Sequence, residues 1–360
     1  MKVLMLVTDG YGGHGGIAAY NRSVADGLSQ VPGITEVVVL PRVSRFEPSG
    51  APPKVRLVME SMGGKAAYLR AVLKMLRFDF GLIVCGHVNL LPLAVAYGTL
   101  KRVPVVLQVY GVDVWAQPTR SAAFWIRRVA AVWTISYFTR DRMNAWARLP
   151  ASRYVLIPPT VRAEDFGPAA RRADLVARYR LEGCTVIMTL GRLASSERFK
   201  GIDEVMEALP SLLDTHPDLR YLIVGDGDDL PRLQEKARWL GLAGRVVFTG
   251  FVEEANKADY LRLADVFALP GRAEGFGIVY LEALACGVPV VGSLADASRE
   301  ALLEGDLGDL VDPADPASIR AGILRALGRP KHVPPGLRQF EWPAFARRVS
   351  DAVLAIGRTE

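Results

Sequence analysis

Cysteine and histidine are scarce in this sequence, with three Cys and four His in 360 residues. Cys85, Cys184 and Cys286 lie far apart, each in or beside an apolar run. That excludes a disulfide framework and the paired spacing of a structural zinc site, and it fits a reducing cytoplasm. The histidines are equally scattered, so no metal-ligand spacing exists. No apolar run reaches the roughly 18 residues that would suggest a transmembrane helix. The opening MKVLMLV stops at Thr8-Asp9-Gly10, too short for a secretory leader, and reads as a buried first strand. Internal repeats and low-complexity segments are also lacking.

Half of the residues are hydrophobic, so sizeable cores can form, and 360 residues suit two domains. The charge is uneven. Residues 1–165 hold 20 Lys and Arg against 10 Asp and Glu, a net +10, whereas residues 166–360 hold 24 against 28, a net −4. A basic first half calls for an anionic partner there: nucleic acid, or, the preferred reading, an anionic membrane or lipid-phosphate acceptor. Residues 59–78 fit the latter, as a predicted helix with Lys65, Arg70, Lys74 and Arg77 beside Leu69, Val72, Leu73 and Leu76. An ordinary surface helix with its stripe in the core explains the apolar spacing equally well. Arg120, Arg127 and Arg128 around Phe124-Trp125-Ile126 form a second aromatic-basic patch.

Short apolar runs alternate with helical patterns, which predicts an α/β chain of two doubly wound parallel sheets. Strands are expected at 2–7, 36–40, 81–85, 104–109, 130–134 and 154–157, then at 185–190, 220–224, 245–248, 265–269 and 288–291. Pro158-Pro159 and Gly167-Pro168 mark the boundary. Two such sheets facing a cleft would hold a ligand at the carboxyl ends of their strands. The segment from Trp342 to Arg358 has the pattern of an amphipathic helix.

The densest chemistry is in 268–291, ALPGRAEGFGIVYLEALACGVPVV. Glu274 follows an apolar strand, the loop Gly275-Phe276-Gly277 comes next, and Glu282 lies two turns into the predicted helix. The glycines let backbone N–H groups approach a ligand, and the helix directs its positive N-terminus at the same place. Amides for an anion and two carboxylates for hydroxyls suit a sugar joined to a phosphate. Upstream, TLGRLASSERFKG places Arg192 after a strand and Lys200 before a helix, two cations able to neutralise a departing diphosphate. Five glycines in Gly10–Gly16 make a phosphate-facing turn before a helix, without the acid that ends the second strand in a dinucleotide fold. Gly225-Asp226-Gly227-Asp228-Asp229 reads as a turn and helix N-cap rather than a metal site. Phe251 and Val252 are candidates to line a base, with a core role for Phe251 equally open. Ser298 reads as the cap of a helix beginning near 299.

The E-(seven residues)-E pattern with its EGFG loop, the GR…KG segment and the Gly15-Gly16 pair occur in order along nearly the whole chain. Together they resemble family 4 of the retaining, GT-B-fold glycosyltransferases. The resemblance implies a first domain at 1–165, a nucleotide-sugar domain at 166–342, and a last helix at 343–360 that returns to the first domain. It implies that Glu282 holds ribose hydroxyls, Glu274 the hydroxyls of the transferred sugar, and the amides of Gly275, Phe276, Gly277 and Ile278 the sugar and phosphate. Arg192 and Lys200 would stabilise the departing diphosphate, Gly15 and Gly16 would approach it, and Gly225 would border the nucleotide. No metal and no cofactor beyond the nucleotide-sugar substrate are implied. Overall similarity to bacterial mannosyltransferases of surface polysaccharide assembly makes GDP-mannose the first expectation for the donor, with UDP-sugars next.

On the acceptor side the candidates are His14, His87, Asn89, Tyr110 and Asp113, at strand ends of the first half. Many relatives carry His where this chain has Tyr110, which can stack on a sugar or donate a hydrogen bond. The expected acceptor is a lipid-linked or polysaccharide chain, met by a protein peripheral at the inner face of the cell membrane. Two other readings remain: a nucleotide-sugar epimerase of the same shape, and a non-catalytic nucleic-acid-binding protein. The second leaves the set Arg192, Lys200, Glu274 and Glu282 without a use.

Overall fold

The computed structural model describes residues 1–44 and 46–357. Arg45 and the end of the expected last helix, Arg358 to Glu360, lie outside the described residues. The chain divides into two compact units, one of Met1–Thr160 with the segment from Trp342 onward, the other of Val161–Glu341. Residues 161–165 thus go with the second unit, where Val161 bridges to Glu341.

The first unit is a seven-stranded sheet in the order β3-β2-β1-β4-β5-β6-β7. Its strands are β1 (Lys2–Val7), β2 (Glu36–Pro41), β3 (Val55–Leu57), β4 (Leu82–Cys85), β5 (Val105–Val109), β6 (Ala131–Thr134) and β7 (Tyr154–Leu156). The second unit is a six-stranded sheet in the order β10-β9-β8-β11-β12-β13. These strands are β8 (Val186–Leu190), β9 (Arg220–Val224), β10 (Val246–Phe248), β11 (Val266–Ala268), β12 (Val290–Ser293) and β13 (Asp309–Val311). The pairings are parallel, as central strands of nearly unbroken Val, Ile and Leu require when helices cover both faces. In each sheet the winding reverses once, between β1 and β4 and between β8 and β11. Loops leaving those strands diverge to opposite faces and open a crevice.

Two edge strands were not expected from the sequence, β3 and β13. Each has three residues, too few to show a period. The helix expected over 59–78 is two pieces: a 3₁₀ turn at Met59–Met62 and a helix at Lys65–Met75, broken at Gly63-Gly64. Gly63 ends the first piece, and Gly64, at φ +93°, is the N-cap of the second. The stripe also divides. Val72 is buried, but Leu69 and Leu73 are 46% and 53% exposed, so the core does not account for them.

The helix Trp342–Ile356 packs in the first unit against the helix Gly16–Gln30. A Cβ on Gly27 would stand 3.3 Å from Val349, so the two helices approach closely at this glycine. Phe345 is fully buried, edge-on to Tyr20 at 6.0 Å and stacked on Trp342 at 5.8 Å. The Tyr20 hydroxyl donates to the Ile157 carbonyl at 2.8 Å. Phe345→Ala should destabilise the protein by about 3–5 kcal/mol, measured by urea unfolding. A loss below ~1 kcal/mol would show that this helix is not part of the core.

Candidate functional site

At the reversal of the second sheet, the loops leaving β8, β9, β11 and β12 converge. The β8 and β9 loops are zipped together through backbone. Gly191 N donates to Val224 O and Leu193 N to Asp226 O, both at 2.9 Å. A Cβ on Gly225 would fall 1.9 Å from the Gly191 carbonyl oxygen, and one on Gly227 would fall 2.1 Å from that of Leu193. The Gly-Asp-Gly spacing is therefore explained by two backbones in contact, and Gly225 has a reason to be glycine whether or not a nucleotide passes it. Asp228 accepts from the Ser195 amide at 2.9 Å and its hydroxyl at 2.5 Å. Asp229 stands at the N-cap without a capping bond and instead pairs with Arg198 and Arg232. No group of three or more His, Cys, Asp or Glu among the described residues is placed to hold a metal ion.

Arg192 and Lys200 stand at the two ends of the β8 exit loop, and the structure joins them through a residue that the sequence did not single out. Glu197 takes the Arg192 guanidinium on one carboxylate oxygen and the Lys200 ammonium, at 2.9 Å, on the other. Burial pushes the Glu197 carboxyl up, but the two cations outweigh it and hold it below the usual carboxylate range. Arg192 is exposed, and its side chain can reach outward. Lys200 lies over the end of β8, its ammonium 4.0 Å from the place of a Cβ on Gly191.

The β11 exit loop is fastened to the same place. A Cβ on Gly201 would meet the Pro270 backbone at 2.6 Å, and Arg272 N donates to Phe199 O at 2.8 Å. Glu274 follows, largely withdrawn from solvent. Burial raises its carboxyl above the usual range, the charge of Lys200 opposes that, and the carboxylate of Asp296 adds to it. Glu274 Oε1 accepts from Gly275 N at 3.1 Å, and the amide of Phe276 also lowers its pKa. These two amides, expected to serve a ligand's sugar and phosphate, are turned to the Glu274 carboxylate. The Phe276 ring is a core group, 1% exposed and edge-on to Phe340 at 5.4 Å. Gly277, at φ +91°, is the N-cap of the helix Ile278–Ala285.

Glu282 lies in that helix, 6% exposed, with Oε1 2.9 Å from the ammonium of Lys257. Burial opposes charge on Lys257, but Glu282 and Glu254 outweigh it and hold the ammonium above its usual range. Lys257 belongs to the site, although no local motif marks it. Phe251 is 55% exposed, which removes the core reading, and Val252 is half-buried. Ser298 does not cap its helix, since its hydroxyl donates to Asp296 at 2.6 Å.

In the first unit the candidates gather at the carboxyl ends of β1, β4 and β5, but they are not equivalent. Gly12 is required by the protein itself, since a Cβ would strike Phe46 O, and a Cβ on Gly13 would meet the Asp9 carboxylate. Gly15, at φ +92°, has open space on its Cβ side and precedes the helix that begins at Gly16. The His14 ring is edge-on to Phe46 at 4.3 Å. Tyr110 is not presented for stacking. It is 8% exposed, and its hydroxyl lies 2.8 Å from both Asn21 Oδ1 and the Gly86 carbonyl. The hydroxyl ties the helix Gly16–Gln30 to the ends of β4 and β5, a structural reason for a long polar side chain there. His87 accepts the Asn89 amide on Nδ1 at 3.1 Å, capping a short turn, and burial keeps its pKa low. Asn89 is exposed. One Asp113 oxygen accepts from Tyr110 N at 3.2 Å, the other is buried with no hydrogen-bond partner among the described residues, and burial pushes the carboxyl up to about 7.

The family model for Glycosyl transferases group 1 matches residues 184–329. A GDP-mannose-dependent alpha-(1-6)-phosphatidylinositol monomannoside mannosyltransferase of Mycolicibacterium smegmatis is 35% identical over 242 residues, 63% of this chain and 62% of that protein. A phosphatidyl-myo-inositol mannosyltransferase of Mycobacterium tuberculosis is 36% identical over 208 residues, 54% of this chain and 52% of that one. The chain thus spans between half and two thirds of the length of these relatives. A solved structure of HepE from Anabaena, in complex with UDP, superposes with a TM-score of 0.76 at 20% identity, over 99% of this chain and all of that one. The fold is that of the GT-B glycosyltransferases.

Glu197→Gln removes the carboxylate that neutralises both cations. Inorganic pyrophosphate, titrated calorimetrically at low salt, should bind about three- to tenfold more tightly to this variant. Equal or weaker binding would make Glu197 a scaffold for the two cations rather than a competing anion.

Proposed function

We propose that this chain, a member of glycosyl transferases group 1 through residues 184–329, is a retaining glycosyltransferase that moves a sugar from a nucleotide diphosphate to an acceptor hydroxyl. The observation that carries this reading is the gathering of Arg192, Lys200 and Glu274 at the reversal point of a doubly wound sheet, where such sheets hold nucleotides, with Glu282 in the helix that follows. Glu282 holds the ribose hydroxyls beside Lys257. Glu274 accepts from hydroxyls of the transferred sugar. Arg192 and Lys200 stabilise the negative charge that grows on the leaving diphosphate, the main electrostatic demand of the transition state. With two fixed cations there, no metal is assigned to that role. Departure and attack on one face need no protein nucleophile, and Glu274 is not given that part.

GDP-mannose is the proposed donor, supported by the two mannosyltransferases that the chain resembles, with a UDP-sugar as the alternative. The proposed acceptor is a lipid-linked or polysaccharide chain. The basic charge of residues 1–165 supports attachment to an anionic membrane at the inner face of the cell. So does the helix Lys65–Met75, where Leu69 and Leu73 are exposed beside Arg70 and Lys74. Phe124, 51% exposed under the Arg128 guanidinium at 3.5 Å, is a second contact of the same kind. No helix among the described residues is long and apolar enough to cross a membrane.

Two measurements test this. In a thermal-shift panel of GDP, UDP, ADP and their sugar conjugates, GDP and GDP-mannose should raise the melting temperature selectively, and Lys200→Ala should abolish the rise. A selective response to UDP would move the donor to the alternative, and silence throughout would sink the donor-site assignment. In co-sedimentation with vesicles containing phosphatidylglycerol, the double variant Leu69→Ser, Leu73→Ser should bind at least about tenfold more weakly than the parent. Equal binding would remove this helix from the membrane contact.

A further inference from the structure

We infer that Asp296 is a positioning residue, which fixes the backbone of Glu274 and so places its carboxylate against the transferred sugar. The inference rests on the reading of Glu274 given above.

Glu274 leaves β11 on a loop that holds Gly271, Gly275 and Gly277, with Gly277 at φ +91°. Glycines give such a loop backbone freedom, and a carboxylate on it would wander by more than the ångström that separates productive from unproductive contact. The exit loop of β12 removes that freedom. Asp296 Oδ2 accepts from Glu274 N at 2.8 Å, and the neighbouring Ala297 N donates to Glu274 O at 3.2 Å. The amide and the carbonyl of Glu274 are thereby held by two consecutive residues of one loop.

Asp296 is itself immobilised. It is 1% exposed, and Oδ1 accepts from the Ser298 amide at 3.0 Å and the Ser298 hydroxyl at 2.6 Å. Ser298 Oγ lies 2.9 Å from the hydroxyl of Tyr280, which donates to the Leu269 carbonyl at 2.7 Å. Leu269 stands directly after β11, so the chain of contacts returns to the strand that carries the loop. The negative charge of Asp296 also bears on the Glu274 carboxyl and helps to keep it above the usual range, after burial and against Lys200. A residue chosen only to cap the turn at Ser298 would need neither the bond to Glu274 nor burial beside it.

The test compares Asp296→Asn, Asp296→Ser and Ser298→Ala with the parent chain. GDP and UDP binding is measured by calorimetry, and consumption of GDP-mannose and UDP-glucose is followed against pH. Asn keeps the shape but offers one acceptor oxygen instead of two. Ser keeps the local turn but does not reach Glu274 N. Both should lower kcat about 10- to 100-fold, while the Kd for the nucleoside diphosphate, which lacks the sugar, stays within twofold. The acid limb of the pH profile should move to lower pH in Asp296→Asn, because Glu274 loses a neighbouring negative charge. Ser298→Ala, which spares both bonds to Glu274 but removes one that pins Asp296, should lower kcat less than either Asp296 variant. A parallel loss of nucleotide affinity and kcat in both Asp296 variants would reduce the residue to a structural part, and an unchanged kcat would overturn the inference alone. A parent chain that binds neither nucleotide and consumes neither sugar conjugate would bring down the donor-site reading, and this inference with it.

Discussion

Everything distinctive about this chain follows from two all-parallel sheets, each wound outward from a single reversal point. Parallel strands need crossover helices, and those helices bury both faces of the sheet. Only the loops at the carboxyl ends can then gather polar groups that are not committed to the core. In the second unit the loops after β8 and β11 flank the reversal and bring Arg192, Lys200 and Glu274 together from positions as much as eighty residues apart. In the first unit the loops after β1 and β4, which carry Gly15 and His87, flank the reversal in the same way.

The second unit's site is an exercise in local charge balance. Arg192 and Lys200 share Glu197, Lys257 is shared by Glu282 and Glu254, and Glu274 stands between Lys200 and Asp296. At Glu197 the two cations outweigh the rise that burial gives the carboxyl, whereas at Glu274 and Glu282 the neighbouring lysine opposes that rise and burial prevails. This bears on the proposed reaction, whose leaving group is a polyanion. Cations with no counter-charge would repel one another in the folded protein, whereas cations held by a nearby carboxylate stay close enough to act together.

Much of this was legible in the sequence, and the remainder was hidden for identifiable reasons. The two sheets, the strand that carries Glu274 and the helix that carries Glu282 showed through local periodicity and glycine placement. Glu197 was passed over because loop carboxylates are usually solvated, and nothing in its neighbours reveals that it faces two cations. Lys257 and Asp296 come from other loops, so their partnership with the two glutamates is a tertiary fact. Tyr110 misled for the same reason: its position at a strand end suggested a ligand contact, but Asn21 and Gly86 take its hydroxyl. The Gly-Asp-Gly turn had a cause invisible along the chain, since the clash that forbids a side chain on Gly225 is with Gly191.

The glycines separate into two kinds once those clashes are known, and the separation bears on how the site works. Gly12, Gly201, Gly225 and Gly227 are needed because the backbone of other parts of the protein occupies the space of a side chain. They hold loops together and give no freedom to move. Gly15 is different, for its Cβ side is open and only its φ of +92° demands glycine. A sequence rich in glycine at strand ends is therefore mostly describing rigid loop-on-loop packing. Gly15 stands open at the start of a helix, where backbone N–H groups can meet an anion. In the loop of Glu274 the glycines leave backbone freedom, and it is the bonds from Asp296 and Ala297 to the Glu274 backbone that hold the carboxylate in one place.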